Sequence, residues 1–158
     1  DARPIQWGKL LLNLNNPVNA LSGLPLRAQL MERGYRRCFA ALMQEALDVL
    51  ERAGIAPAQV AALPPRKLLT ILRLPSPIFR IVASRMLKID AKARSSMADD
   101  LALGRRTEVD ALSGEVVRLA QAHGAQAPRN ARMVELLDVW PAQPTKLTPA
   151  QMVKALGL

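Results

Sequence analysis

The sequence predicts an all-α, multi-helix domain. Apolar residues recur at spacings of three and four, as on one face of a helix, and alternating runs of β-branched and aromatic residues are absent. Prolines and glycines divide the chain into segments of helical length. The chain has 158 residues, half of them hydrophobic, which is enough to enclose one core.

The predicted helices follow one another with short breaks. The opening helix is rich in leucine and contains Pro17, which predicts a kink because the proline ring displaces the carbonyl of Asn13. Two longer helices are predicted over residues 39–53 and 109–123, each followed by a glycine that suits a helix end. Prolines and capping residues delimit the shorter predicted helices, which cover residues 57–62, 66–73, 78–87, 95–103, 130–140 and 148–156.

The chain is basic, with 22 Lys and Arg against 13 Asp and Glu and a formal net charge of +9. Such a balance suits nucleic acids, anionic membranes or small anionic ligands. The basic residues never run longer than a pair and aromatic residues make up only 3%, so a nucleic-acid partner is not expected. The longest uncharged run, residues 10–26, contains asparagines and prolines that disfavour a membrane span. A small anion is the favoured partner.

Cys38 and His123 are the only residues of their types. A single cysteine cannot form a disulfide framework, which favours a cytoplasmic protein. Neither residue has a second Cys or His at metal-ligand spacing, so no metal is expected. The sequence also contains no G-x-G-x-x-G loop, so this chain alone is not expected to hold a dinucleotide.

A narrow polar stripe interrupts the leucine-rich opening helix. Lys9, Asn13 and Asn16 stand at i, i+4 and i+7, so on a continuous helix they share one face. A helix that is apolar around the rest of its circumference is normally buried, and burying an unpaired ammonium or amide is costly. The stripe therefore indicates either the solvated edge of a half-exposed helix or a ligand-binding surface.

Ser96 and Glu108 stand at two predicted helix starts. Ser96 with Asp99 fits a capping box, and Thr107 with Asp110 fits a second one, which would make Glu108 the first helical residue. Capping alone accounts for all of these residues. The alternative is that two helix N-termini converge on an anionic or hydroxylated ligand.

The order and spacing of these segments resemble the C-terminal helical domain of the ketopantoate reductase (2-dehydropantoate 2-reductase) family, a domain of the 6-phosphogluconate dehydrogenase C-terminal type. The resemblance covers roughly residues 5–140. It implies a substrate-binding helical domain over residues 1–140. Residues 141–158 lie outside the resemblance, and their own pattern predicts a linker and a short terminal helix. The matching segments are Trp7-Gly8-Lys9-Leu10-Leu11-Leu12-Asn13, Asn16-Pro17, Ser95-Ser96-Met97-Ala98-Asp99, Thr107-Glu108-Val109-Asp110 and Ala122-His123-Gly124 followed by Pro128-Arg129-Asn130.

The resemblance also implies a reaction and a cofactor. Ketopantoate reductases use NADPH to reduce a 2-keto acid, ketopantoate, to pantoate on the route to pantothenate and coenzyme A. The active site of the family lies between this helical domain and an N-terminal Rossmann domain, which is absent from this chain. The chain alone is therefore expected to be inactive.

Site roles follow from the resemblance residue by residue. Lys9 is expected to be the general acid, with Glu108 as the second catalytic residue, bonded to the ammonium or to substrate hydroxyls. Asn13 and Ser96 are expected to orient the substrate. The family's second asparagine lies two turns after the lysine, and here the match departs from the pattern. Asn16 is the first candidate for that contact, and Asn15 and Asn19 are the alternatives.

Two other interpretations keep the helical fold. In one, a paralogous reductase uses the same residues on a different 2-keto acid. In the other, the chain is a stand-alone helical binding or dimerisation module. A homodimer formed through exposed apolar faces is compatible with each of these interpretations.

Overall fold

A computed structural model describes residues 1–86, 92–102, 107–139 and 146–158. Every regular element within these ranges is a helix, which confirms the predicted all-α class. The pattern of apolar residues, prolines and glycines predicts most of these helices correctly, but it does not predict the short helix Leu26–Met31. In chain order the helices are α1 (Arg3–Asn13), α2 (Asn15–Ser22), α3 (Leu26–Met31), α4 (Arg33–Arg52), α5 (Pro65–Leu72), α6 (Ser76–Met86), α7 (Ser96–Ala102), α8 (Val109–Ala122), α9 (Pro128–Asp138) and α10 (Pro149–Ala155).

Helix α4 lies at the centre of the domain. It has 20 residues and packs against α1, α2, α3, α5, α8, α9 and α10. Leu42, Met43 and Leu50 are completely or almost completely buried, because apolar side chains at three- and four-residue spacing cover most of its circumference. Cys38 is buried in the same core. Within the described ranges, no helix combines the length and apolar content needed to cross a membrane.

Arg36 lies in this core with no exposed surface. Its guanidinium donates hydrogen bonds to the carbonyl oxygens of Leu30 (2.9 Å), Leu72 (3.1 Å) and Leu74 (2.9 Å) and to Oγ of Ser76 (3.2 Å). It also stacks 4.1 Å above the ring of Phe79. Burial lowers its pKa from the ordinary value. The side chain thus ties α4 to the ends of α3 and α5 and to the start of α6.

Residues 57–62 do not form the predicted helix. The N–H of Ala58 instead donates to the carbonyl oxygen of Pro4, at 2.8 Å, and the segment crosses α1 at Gly8. A Cβ atom at Gly8 would clash with the carbonyl oxygen of Ala58, so only glycine permits this close approach. The long-range contact with α1 therefore overrides the local helix signal of Pro57.

The C-terminal residues belong to the same packed structure. The hydroxyl of Tyr35 donates to the carbonyl oxygen of Leu147 (2.6 Å), and the N–H of Leu147 donates to the carbonyl oxygen of Leu21 (2.9 Å). Thr148 caps α10 as predicted, in a reciprocal capping box with Gln151. Met152 then lies fully buried against the core. The division of the chain at residue 140 stays a prediction, and the predicted helix ends at residues 87, 103 and 140 lie outside the described residues.

Candidate active site

The opening helix is interrupted at Leu14, between α1 and α2. The N–H of Leu14 closes the last turn of α1 by donating to the carbonyl oxygens of Leu10 (3.1 Å) and Leu11 (3.4 Å). Pro17 then lies in the first turn of α2, where a missing N–H costs nothing. The interruption lies next to Asn13, where Pro17 predicted a kink, and it divides the polar stripe between two helices. Asn13 ends one helix, and Asn16 belongs to the next.

Lys9 and Asn13 remain together and line one wall of a cleft of about 350 Å³. The facing wall comes from α8 and contains Ala111, Leu112 and Glu115. Lys9 and Asn13 are both exposed, and within the described ranges neither side chain has a hydrogen-bond or ion-pair partner. A cation and an amide without protein partners in a cleft are available to a ligand.

Glu108 is the N-cap residue of α8 and not its first helical residue, so that prediction is wrong by one position. Its exposed side chain makes no capping hydrogen bond. The predicted capping box does not form either, because Asp110 pairs instead with Arg118 (3.1 Å). Glu108 is not among the residues that line the Lys9 cleft, but it directly precedes α8, whose residues Ala111 and Glu115 do line it.

Glu115 was not among the predicted site residues. It lies in the cleft wall and pairs with Arg118 at 2.7 Å. This hydrogen bond raises the pKa of Arg118, with a second contribution from Asp110. The seven-residue spacing from Glu108 was the available signal, since it places both carboxylates on one side of a helix.

Asn15 and Asn19 are structural residues. Asn15 is buried and exchanges two hydrogen bonds with Gln29, at 3.0 and 2.9 Å. The Nδ2 of Asn19 donates to the carbonyl oxygen of Leu24 (2.9 Å), and its Oδ1 accepts from the N–H of Ser95 (3.1 Å). Of the three asparagines considered for the second contact, Asn16 alone has a side chain without a partner among the described residues.

Ser96 is exposed as the first residue of α7, and it does not cap that helix. The cap is Ser95, whose Oγ accepts from the N–H of Ala98 at 3.0 Å. The predicted capping role of Ser96 is therefore wrong. The Ser95–Asn19 hydrogen bond joins α7 to α2, and these two helices pack against each other. Ser96 and Asn16 are not among the residues that line the Lys9 cleft.

Residues 1–140 match the family model described as the ketopantoate reductase PanE/ApbA C-terminal domain. This chain belongs to that family. This chain is similar in structure to the PanE/ApbA family ketopantoate reductase of Ralstonia eutropha JMP134, with 27% identity over 87% of this chain and a TM-score of 0.61. The dimeric ketopantoate reductase of Staphylococcus aureus shares the fold, with a TM-score of 0.66 at 20% identity over 90% of this chain.

Two sequence relatives carry the name 2-dehydropantoate 2-reductase. The protein of Caulobacter vibrioides is 32% identical over 139 residues, or 84% of this chain and 39% of its own length. The protein of Yersinia pestis is 37% identical over 54 residues, or 34% of this chain and 18% of its own length. This ketopantoate reductase-family chain thus spans 40% and 44% of the two solved relatives, and a similar share of the C. vibrioides protein.

Proposed function

We propose that this chain supplies the substrate-binding and proton-donating half of an NADPH-dependent ketopantoate reductase, a cytoplasmic enzyme of pantothenate biosynthesis. The observation that carries the proposal is the Lys9–Asn13 pair, unpartnered within the described residues in a cleft between α1 and α8. The pair occurs in a domain whose relatives are named 2-dehydropantoate 2-reductase.

The proposed reaction requires a cation near the keto oxygen of the substrate, and Lys9 would supply it. When a ketone is reduced, negative charge develops on its oxygen, and an ammonium within hydrogen-bond distance stabilises that charge and supplies the proton. Lys9 is exposed and has no carboxylate partner among the described residues, so its ammonium can engage a substrate. A 2-keto acid also carries a carboxylate, which a cationic cleft attracts.

Four further residues would orient the substrate. Asn13 is next to Lys9 on α1 and can donate to the keto oxygen or to a hydroxyl. Glu108 would accept from substrate hydroxyls or hold the ammonium of Lys9. Asn16 and Ser96 are exposed or half-exposed at the starts of α2 and α7, so they would contact the substrate from outside the cleft.

NADPH would be held by another part of the enzyme. The chain has no Gly-rich phosphate loop, and its described residues form helices without the parallel sheet on which such loops stand. The cofactor supplies the hydride when bound. What this chain contributes is the position of the proton donor and the polar contacts around it.

The test uses the complete protein, in which this chain is joined to a nucleotide-binding domain. We expect Lys9→Ala to lower ketopantoate turnover by about two to four powers of ten, since a general acid is lost. Lys67→Ala is the matched control, because Lys67 is an exposed lysine on α5 outside the cleft. Equal rates for the Lys9 variant and the unmodified enzyme would remove Lys9 from this role. NADPH-dependent turnover by the 158-residue chain alone would contradict the proposal that another part of the enzyme holds the cofactor.

The substrate itself is tested with a panel of 2-keto acids. Lys9 and Glu108 address the keto group, so a paralogous reductase would use them equally on a different acid. We expect the highest kcat/KM with ketopantoate. A higher kcat/KM with another 2-keto acid would identify that acid as the substrate. The roles proposed for Lys9 and Asn13 would then remain the same.

A homodimer is proposed for the complete enzyme. The S. aureus relative is described as dimeric, and Ile78 and Ile81 are 49% and 62% exposed one turn apart on α6. Light scattering during size-exclusion chromatography measures the mass directly. A monomer at micromolar concentration would contradict this proposal without affecting the roles assigned to the Lys9 cleft.

A further inference from the structure

We infer that a second cleft, lined by four arginines, binds a small polyvalent oxyanion such as a diphosphate group. The cleft has a volume of about 350 Å³ and shares no lining residue with the Lys9 cleft. Its cationic residues come from three helices or their ends: Arg33, Arg37, Arg73 and Arg129.

The arginine cleft is built on one face of α4. Arg33, Arg37 and Gln44 stand at i, i+4 and i+11, which places them in a row along that helix. Arg73 follows the last residue of α5 as its C-cap, and Arg129 is the second residue of α9. Four arginines from three elements therefore line the same cleft.

None of these four arginines forms an ion pair with a carboxylate in the described ranges. Arg73 donates to Oε1 of Gln44 at 3.5 Å, and Nε of Arg129 donates to the carbonyl oxygen of Leu156 at 3.3 Å. Arg33 and Arg37 have no hydrogen-bond partner among the described residues. Two carboxylates lie nearby without pairing with a guanidinium: Glu45 accepts from the backbone N–H of Arg129 (3.0 Å), and Asp48 accepts from Nε2 of Gln44 (2.9 Å).

This arrangement is unfavourable without an anion. Arg33 and Arg37 are like charges one turn apart, and a pair of that kind destabilises a helix. Arg33 is also the first residue of α4, where the helix dipole favours negative charge and disfavours cations. An anion in the cleft would relieve both effects at once.

The side chains that line the arginine cleft determine which class of ligand it can bind. Arginine presents its N–H groups in a planar fork that matches phosphate and carboxylate oxygens two at a time. The volume suits a compact anion, and the lining contains no aromatic side chain on which a nucleic-acid base could stack. Several guanidiniums around one small cleft favour a ligand with two or more negative charges.

The experiment is isothermal titration of the 158-residue chain with inorganic pyrophosphate at physiological ionic strength, with citrate in a parallel titration. We expect saturable binding of pyrophosphate, weakened at least about tenfold in the Arg33→Gln/Arg37→Gln double variant. The control is Arg66→Gln/Lys67→Gln, which removes the same charge from exposed positions on α5 outside the cleft. Its affinity should stay within about twofold of the unmodified chain.

The outcomes separate the site from general electrostatic attraction. Equal weakening in both double variants, or no saturable binding, would overturn the proposal. Thermal unfolding of each variant checks the fold, and Arg73→Gln serves as a second variant should the double change unfold the chain. Stronger binding of citrate than of pyrophosphate would keep the oxyanion site and assign it to polycarboxylates. A salt-sensitive dimer lost in the Arg33/Arg37 variant, without pyrophosphate binding, would assign the cleft to acidic residues of a second copy and overturn the small-ligand proposal.

Discussion

The carboxylate of Glu45 on α4 caps the start of α9 through Asn130. Its Oε1 accepts from the backbone N–H of Asn130 (2.9 Å) and from Nδ2 of the same residue (3.0 Å). The Oε2 of Glu45 accepts from the N–H of Arg129 (3.0 Å). The N-cap residue of α9, Ala127, offers no side-chain cap of its own. A residue distant in sequence thus satisfies the free N–H groups of this helix and places a negative charge at its positive end.

We expect Glu45→Ala to lower the free energy of unfolding by about 2–3 kcal/mol, because buried donors lose a charged acceptor. Glu45→Gln keeps an acceptor without the charge and should cost about 1 kcal/mol. Chemical denaturation measures both values. Glu51→Ala on the same helix is the control, since its ion pair with Arg66 is exposed and should contribute less than about 1 kcal/mol. Similar losses for Glu45→Ala and Glu51→Ala would contradict the capping role.

Asn15 and Asn16 should respond differently to alanine substitution although they are adjacent. Asn15→Ala leaves the buried amide of Gln29 without its reciprocal hydrogen bonds, so we expect a stability loss of about 2–3 kcal/mol. Asn16→Ala should change stability by less than about 0.5 kcal/mol. In the complete enzyme, Asn16→Ala should raise KM for the 2-keto acid if Asn16 is the second substrate contact. Unchanged kinetics for Asn16→Ala would exclude that contact.

We expect that lysine cannot replace Arg36 without a loss of stability. Arg36→Lys removes the fork that reaches the carbonyl oxygens of Leu30, Leu72 and Leu74, and we expect a loss of about 2–4 kcal/mol. Arg37→Lys, at the exposed neighbouring position, should remain within about 0.5 kcal/mol of the unmodified chain. The denaturation midpoints of the two variants measure this difference in stability. Equal stability of both variants would show that the buried hydrogen bonds are dispensable.

Cys38 should make stability depend on alkaline pH. Burial raises the pKa of its thiol from 9.0 to about 12, so between these values the unfolded chain loses a proton that the folded chain keeps. The contribution of the thiol is fully present below pH 9 and is lost as the pH rises toward 12. Relative to Cys38→Ala, the unfolding free energy should fall by up to about 1.4 kcal/mol per pH unit in that window. Parallel pH curves for the two proteins would contradict the raised pKa.

Periodicity predicted the helical class because it reports which residues face a core, but it does not report which distant segment arrives there. The segment 57–62 carries a helix signal, yet its backbone bonds to Pro4 and it passes over Gly8 instead. Arg36 is indistinguishable in sequence from a surface cation, since its partners are carbonyl oxygens of other elements. Lys9 and Asn13 share the Lys9 cleft because they are one helical turn apart, which the sequence spacing does contain.

The close passage of Ala58 over Gly8 joins the helix that carries Lys9 to a loop about fifty residues away in sequence. Gly8 is the immediate neighbour of Lys9, so we expect a change in the path of that loop to shift the ammonium group without altering a residue of the Lys9 cleft. For enzyme engineering, residues 56–60 therefore offer an indirect control over the position of Lys9, the proton donor that we propose. Libraries directed at that loop would sample small displacements of Lys9 while conserving the chemistry of the cleft.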